Sequence, residues 1–185
     1  MKTHSLFLIS LCFSALASAQ LIKISTVGDS LADSAKQWDC VLDNETNLMW
    51  EVKRNGKGLQ DRQNTYTWFD GISGVENGEY SRNCHQGKEC NTQGFIKALN
   101  ESGLCQAANW RLPNTHELRS LLVFNNNNPL INTHYFPNTR SKPYWTSTSR
   151  EDDINTAVDV PFFYGGTYGS GKSFDSYIRA VSDVK

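Results

Sequence analysis

Trp110-Arg111-Leu112-Pro113-Asn114-Thr115-His116-Glu117-Leu118 is the stretch whose reading decides the fold. An Arg-Leu-Pro turn feeds directly into an amphipathic helix. Asn114 can cap that helix while Glu117 reaches back from the third position, a capping box with Asn in place of Ser or Thr. Leu118, Leu121 and Leu122 then share one face at helical spacing. The Asn run at 125–128 stops the helix.

Upstream, residues 91–101 predict another helix. Asn91 or Thr92 can cap it, Phe95, Ile96 and Leu99 form its apolar face, and Gly103 can end it. Residues 40–53 predict two short strands around the turn-rich Asp43-Asn44-Glu45-Thr46-Asn47, with Leu42, Leu48 and Trp50 in the core. Residues 54–82 are rich in Gly, Asn and Asp but carry Tyr66, Trp68 and Phe69, the mark of a long ordered loop pinned by aromatics. From Tyr144 onward the pattern becomes short strands at 144–148, 156–164 and 176–182, with Gly165-Gly166 turning between two of them. Two helices early and antiparallel strands late define one α+β domain. Three segments follow: a leader at 1–19, a polar and aperiodic arm at 20–37, and the domain itself at 38–185.

The leader is read from Lys2, an apolar run from Leu6 to Leu16, and the small-residue Ala17-Ser18-Ala19 ahead of Gln20. That run is too short for a stable bilayer anchor, and no other segment is apolar enough to cross a membrane. Cleavage near Ala19 places the mature chain in the periplasm or at the cell surface. The formal net charge of −1 gives no global electrostatic reason to bind nucleic acid. Five Trp, seven Tyr and nine Phe in 185 residues are a heavy aromatic load, suited to a β-rich core and an aromatic binding surface.

Beyond the leader the cysteines are Cys40, Cys84, Cys90 and Cys105. An even set in an exported chain reads as two disulfides, for which three connectivities exist. Loop entropy favours a local Cys84–Cys90 bridge, which leaves Cys40 with Cys105. Closing that longer loop contributes about 4 kcal/mol in the chain-entropy model. A zinc site is the weaker reading, because no C-x-x-C pair exists and His85 is the only nearby imidazole.

At Cys40-Val41, 43–51, Asn64-Thr65-Tyr66-Thr67-Trp68, Cys84, Cys90, Gly103-Leu104-Cys105, 110–122, Tyr135-Phe136-Pro137, 144–149 and Tyr177-Ile178-Arg179-Ala180-Val181, the chain resembles the Lcl C-terminal domain family. The resemblance runs from about residue 37 to the end. It implies a C-type-lectin-like fold, distantly akin to formylglycine-generating enzymes, in bacterial proteins of the surface or periplasm. Some members are adhesins for host polysaccharide or matrix, and no shared catalytic residues are established. Asn47 stands where the family usually has Gly before Leu48-Met49-Trp50; Asn also tolerates a left-handed backbone. The collagen-like stalk of the family's namesake is absent, which weakens transfer of its adhesin role.

Gly166-Thr167-Tyr168-Gly169-Ser170-Gly171-Lys172-Ser173 formally satisfies G-x-x-x-x-G-K-S. A phosphate-binding loop needs a strand before it and a helix after it, and the residues after Ser173 read as a strand. The segment is therefore read as a glycine-rich hairpin tip, with no nucleotide as ligand. His85, His116 and His134 lack metal-ligand spacing. Asp152, Asp153 and Asn155 offer calcium-type oxygens but read as a solvated acidic turn, so no metal or cofactor is expected. Phe162, Phe163, Tyr164 and Tyr168 bracket the Gly165-Gly166 turn. Alternation along a strand sends two of them to the core and leaves the others for a surface. Phe163, Tyr164 and Tyr168 are the candidate ligand-binding aromatics, with Lys172 and Arg179 as added contacts to an anionic polysaccharide. The expected function is non-catalytic recognition or adhesion, with a polysaccharide or an envelope or cell-surface protein as partner. The alternatives are an accessory subunit of a pilus or envelope assembly and, behind it, an enzyme related to formylglycine generators.

Overall fold

Leu48-Met49-Trp50-Glu51 is buried along its whole length, as suits a strand covered on both faces. The computed structural model describes residues 21–81, 83–85, 89–125 and 127–184. The leader read at residues 1–19 lies outside them. Among the described residues seven strands and two α-helices follow in chain order: β1 (Leu21–Ile24), β2 (Cys40–Asp43), β3 (Leu48–Glu51), α1 (Thr92–Glu101), α2 (Thr115–Ser120), β4 (Pro143–Ser149), β5 (Thr156–Pro161), β6 (Tyr168–Gly171) and β7 (Val181–Asp183). They build two antiparallel sheets, ordered β1-β2-β3-β7 and β4-β5-β6. Trp50 lies opposite Val41 on one side and Val181 on the other. The β2–β3 turn closes with Asn47 in the left-handed region at φ 55°, the conformation expected of Asn at that point.

The C-terminal segment joins the sheets. Ser176 bridges Tyr66, Tyr177 bridges Tyr144, and the chain then becomes β7 beside β3. The predicted strand at 176–182 is therefore shorter than the pattern suggested, because the segment changes partner midway. Ile178 and Ala180 enter one hydrophobic cluster with Trp68, Phe95, Leu99, Trp110 and Trp145. Val181 enters the other, with Trp50, Leu118, Phe136, Tyr144, Val160 and Phe162.

Both helices start where the caps predicted. The Asn91 side chain accepts from the Gly94 amide at 2.8 Å. The Asn114–Glu117 capping box is complete, with bonds of 2.9 and 2.8 Å. Arg111 extends it. Its Nη1 and Nη2 each donate to Glu117 at 2.8 Å, and Nη2 and Nε donate to Asp183 at 2.9 and 3.1 Å. The Arg-Leu-Pro turn is thus tied to α2 and to the end of β7. Helix α2 packs on β4 and β5.

Cys40–Cys105 and Cys84–Cys90 are the two disulfides. The longer one joins β2 to the loop before the Arg-Leu-Pro turn. The predicted arm at 20–37 is corrected: Leu21-Ile22-Lys23-Ile24 forms β1 at the edge of the first sheet. Lys23 is buried there, its Nζ 3.9 Å from the Trp38 ring centroid and donating to the carbonyls of Asp33 and Ala35. A polar stretch after Ile24 masked this short apolar strand in the sequence.

Candidate functional site

The predicted strand at 156–164 ends at Pro161. The amides of Tyr164 and Gly165 both donate to the Pro161 carbonyl, at 3.2 and 2.7 Å, and Gly165 takes a left-handed φ of 78°. The turn places the four aromatics differently from simple alternation. Phe162 alone is core, while Phe163, Tyr164 and Tyr168 are 54%, 63% and 51% exposed. The tyrosine rings stand with centroids 6.2 Å apart and planes inclined by 51°.

Gly166 lies between them: a Cβ there would stand 3.0 Å from the Tyr164 ring and 3.4 Å from that of Tyr168. A Cβ on Gly165 would come within 2.7 Å of the Phe124 ring. Phe124, itself 71% exposed, thus leans on Gly165 and extends the aromatic surface. The sequence reading missed Phe124. Its only signal was a large apolar side chain beside an Asn run, and no local periodicity links residue 124 to residue 165.

Residues 168–171, read as a hairpin tip, form the edge strand β6 instead. Tyr168 pairs with Asp159 across β5–β6, and Val158 pairs with Gly169. The Ser170 hydroxyl donates to Asp159, which is buried. Burial pushes the Asp159 carboxyl above its ordinary range, and the Ser170 bond offsets that only in part. The segment after β6 is a turn, not a helix, so the phosphate-loop geometry is absent from residues 166–175.

Lys172 and Arg179 do not join this surface. Lys172 is 2% exposed, its Nζ 4.2 Å from the Trp68 ring centroid and donating to Ser73 Oγ at 2.8 Å. Arg179 is fully buried. Its Nη1 donates to the Glu51 carbonyl at 2.6 Å, its Nη2 donates to Thr139 Oγ1 at 2.8 Å, and it lies over the Phe136 ring. Each cation is enclosed by aromatic faces and polar partners, so neither reaches a polysaccharide in this fold. Arg150, beside the β6 edge, pairs with Asp152 at 2.8 Å from Nε. A Cβ on Gly169 would meet the Arg150 guanidinium at 3.1 Å. Asp153 is engaged by Thr156 Oγ1 and the Asn155 amide at 2.6 and 3.0 Å. Among the described residues no group of three His, Cys, Asp or Glu side chains is placed to hold a metal ion.

These features define a class: a disulfide-stapled α+β domain with a solvent-facing aromatic cluster beside an edge strand. The Lcl C-terminal domain model matches residues 39–182, and the chain belongs to that family. Comparison with curated proteins finds no match.

Proposed function

We propose that this chain is a non-catalytic recognition domain of C-type-lectin-like fold, working outside the cytoplasm and gripping a polysaccharide through Phe163, Tyr164 and Tyr168. The carrying observation is that these rings stay in water around Gly165-Gly166 although burial of an aromatic side chain is worth several kcal/mol. Flat aromatic faces beside a glycine-rich backbone suit stacking on sugar rings.

Two disulfides fit an oxidising compartment. Among the described residues no helix is long and apolar enough to cross a membrane. The cysteines of the described residues are all in disulfides, which leaves no thiolate there for formylglycine-type chemistry and supports a binding role.

The test is retention of the purified domain on a panel of immobilised neutral and anionic polysaccharides, with Tyr164→Ala and Tyr168→Ala alongside. We expect binding that each substitution weakens about tenfold, a step of about 1.4 kcal/mol. Absence of binding across the panel, with recovery of envelope proteins in a pull-down, would overturn the polysaccharide reading in favour of an envelope-assembly subunit.

A further inference from the structure

The chain holds two Asn-Gly dipeptides, Asn55-Gly56 and Asn77-Gly78, and the fold treats them in opposite ways. We infer that Asn55 is a site of spontaneous deamidation in the native protein, while Asn77 is protected.

The chemistry is a ring closure. The backbone nitrogen of Gly56 attacks Cγ of the Asn55 side chain, a new C–N bond forms, and the side-chain nitrogen leaves as ammonia. Water then opens the resulting succinimide at either carbonyl, giving an aspartyl or isoaspartyl residue and one new carboxylate. Glycine is the permissive successor because it has no Cβ to block the approach. The reaction further requires a free backbone amide, a side chain free to rotate, and backbone that can move.

Asn55 meets the first two, and the open space around Gly56 leaves room for the third. Neither its side chain nor the Gly56 amide bonds to any described residue. A Cβ on Gly56 would meet nothing within 4 Å, so the surrounding space is open. Asn77 meets none of them. Its Nδ2 donates to Glu79 Oε2 at 3.0 Å, and its Oδ1 accepts from the Glu79 amide at 3.2 Å. The Gly78 amide donates to the Val75 carbonyl at 3.3 Å. A Cβ on Gly78 would lie 2.4 Å from the Cys90 nitrogen, which shows how tightly that backbone is packed.

The setting of Asn55 adds a second push. It lines a cleft of about 390 Å³ with Lys36, Trp38, Arg54 and Lys57. Lys36 and Lys57 are exposed, and Arg54 is half exposed while paired with Asp39. Cations around the dipeptide stabilise the negative charge that develops on the attacking nitrogen and on the tetrahedral oxygen. The product carboxylate then stands among the same cations and removes one unit of positive charge from the cleft. This inference does not rest on the polysaccharide reading.

The experiment incubates the folded, oxidised chain at pH 7.4 and pH 9. Peptides released by a protease cleaving after glutamate are then followed by mass spectrometry, in native buffer and in urea. We expect the amide-to-acid mass gain at Asn55 in the native protein, faster at the higher pH, with Asn77 unchanged. In urea both sites should convert at similar rates. Asn55→Gln should abolish the conversion, and Asn55→Asp and the aged wild type should both elute earlier from a cation exchanger than the fresh wild type. Equal native rates at the two sites, or a faster Asn77, would overturn the inference.

Discussion

Trp68 and Trp145 each donate an indole hydrogen bond to the backbone beside the other. Trp68 Nε1 reaches the Thr146 carbonyl and Trp145 Nε1 reaches the Tyr66 carbonyl, both at 2.8 Å. Both rings are buried in one cluster, so the long loop at 54–81 is fastened to β4 by apolar area and by two fully desolvated bonds. Trp68→Phe keeps most of the area but orphans the Thr146 carbonyl. We expect a loss of about 1–3 kcal/mol in urea unfolding, and about 3–5 kcal/mol for Trp68→Ala. A Trp68→Phe variant as stable as wild type would show that the bond contributes nothing.

The two disulfides should differ in weight. Cys40–Cys105 spans 65 residues and Cys84–Cys90 spans six. In the chain-entropy model, removal of each pair by double Cys→Ala substitution costs about 4 and about 2 kcal/mol respectively. Denaturant midpoints of the two double variants check the order.

Arg111 ties acid stability to the turn that opens α2. Burial pushes the Glu117 carboxyl up, but bonds from Arg111 and the Asn114 amide outweigh it and hold the group below its ordinary 4.5. The Arg111 bond holds Asp183 below its ordinary 3.8. Both folded values are depressed, so this stabilisation is present above the ordinary values and lost as pH falls through the folded ones. Asp183 is largely exposed, and its share is small because solvent screens it. Glu117→Ala should cost about 1 kcal/mol at pH 7 from the lost cap. Its penalty should shrink as pH falls from 4.5 through the depressed folded value, as read from urea midpoints across pH.

Asp159 has the opposite sign. Its folded value is raised by burial, so its stabilising contribution is complete below 3.8 and is lost as pH rises through the folded value. Asp159→Asn should therefore raise the unfolding midpoint at neutral pH and flatten the pH dependence above 3.8. A lower midpoint at pH 7 would mean that the ionised carboxylate is the favoured form in the folded state.

The aromatic surface should be separable from stability. Tyr164→Ala and Tyr168→Ala remove exposed side chains, and substitutions of that kind shift stability by no more than about 0.5 kcal/mol. Gly166→Ala should disturb binding without removing a ring, because its new methyl would press against the Tyr164 ring. A thermal melt beside the polysaccharide retention assay distinguishes loss of the surface from loss of the fold.

Local chemistry made much of this molecule legible in the sequence. Asn91 and Asn114 with Glu117 marked both helix starts, and Asn47 tolerated the left-handed turn before β3, because caps and turns depend on residues a few positions apart. The cysteine pairing was favoured by loop length alone. Tertiary structure decided the rest. Lys172 and Arg179 looked like surface cations beside an aromatic cluster, yet contacts with Trp68, Ser73, Glu51 and Thr139 enclose them. Phe124 joined the site through a neighbour some forty residues away, at Gly165. Burial of a charge and convergence of distant loops depend on which segments meet in space, and short-range residue patterns carry no record of that meeting.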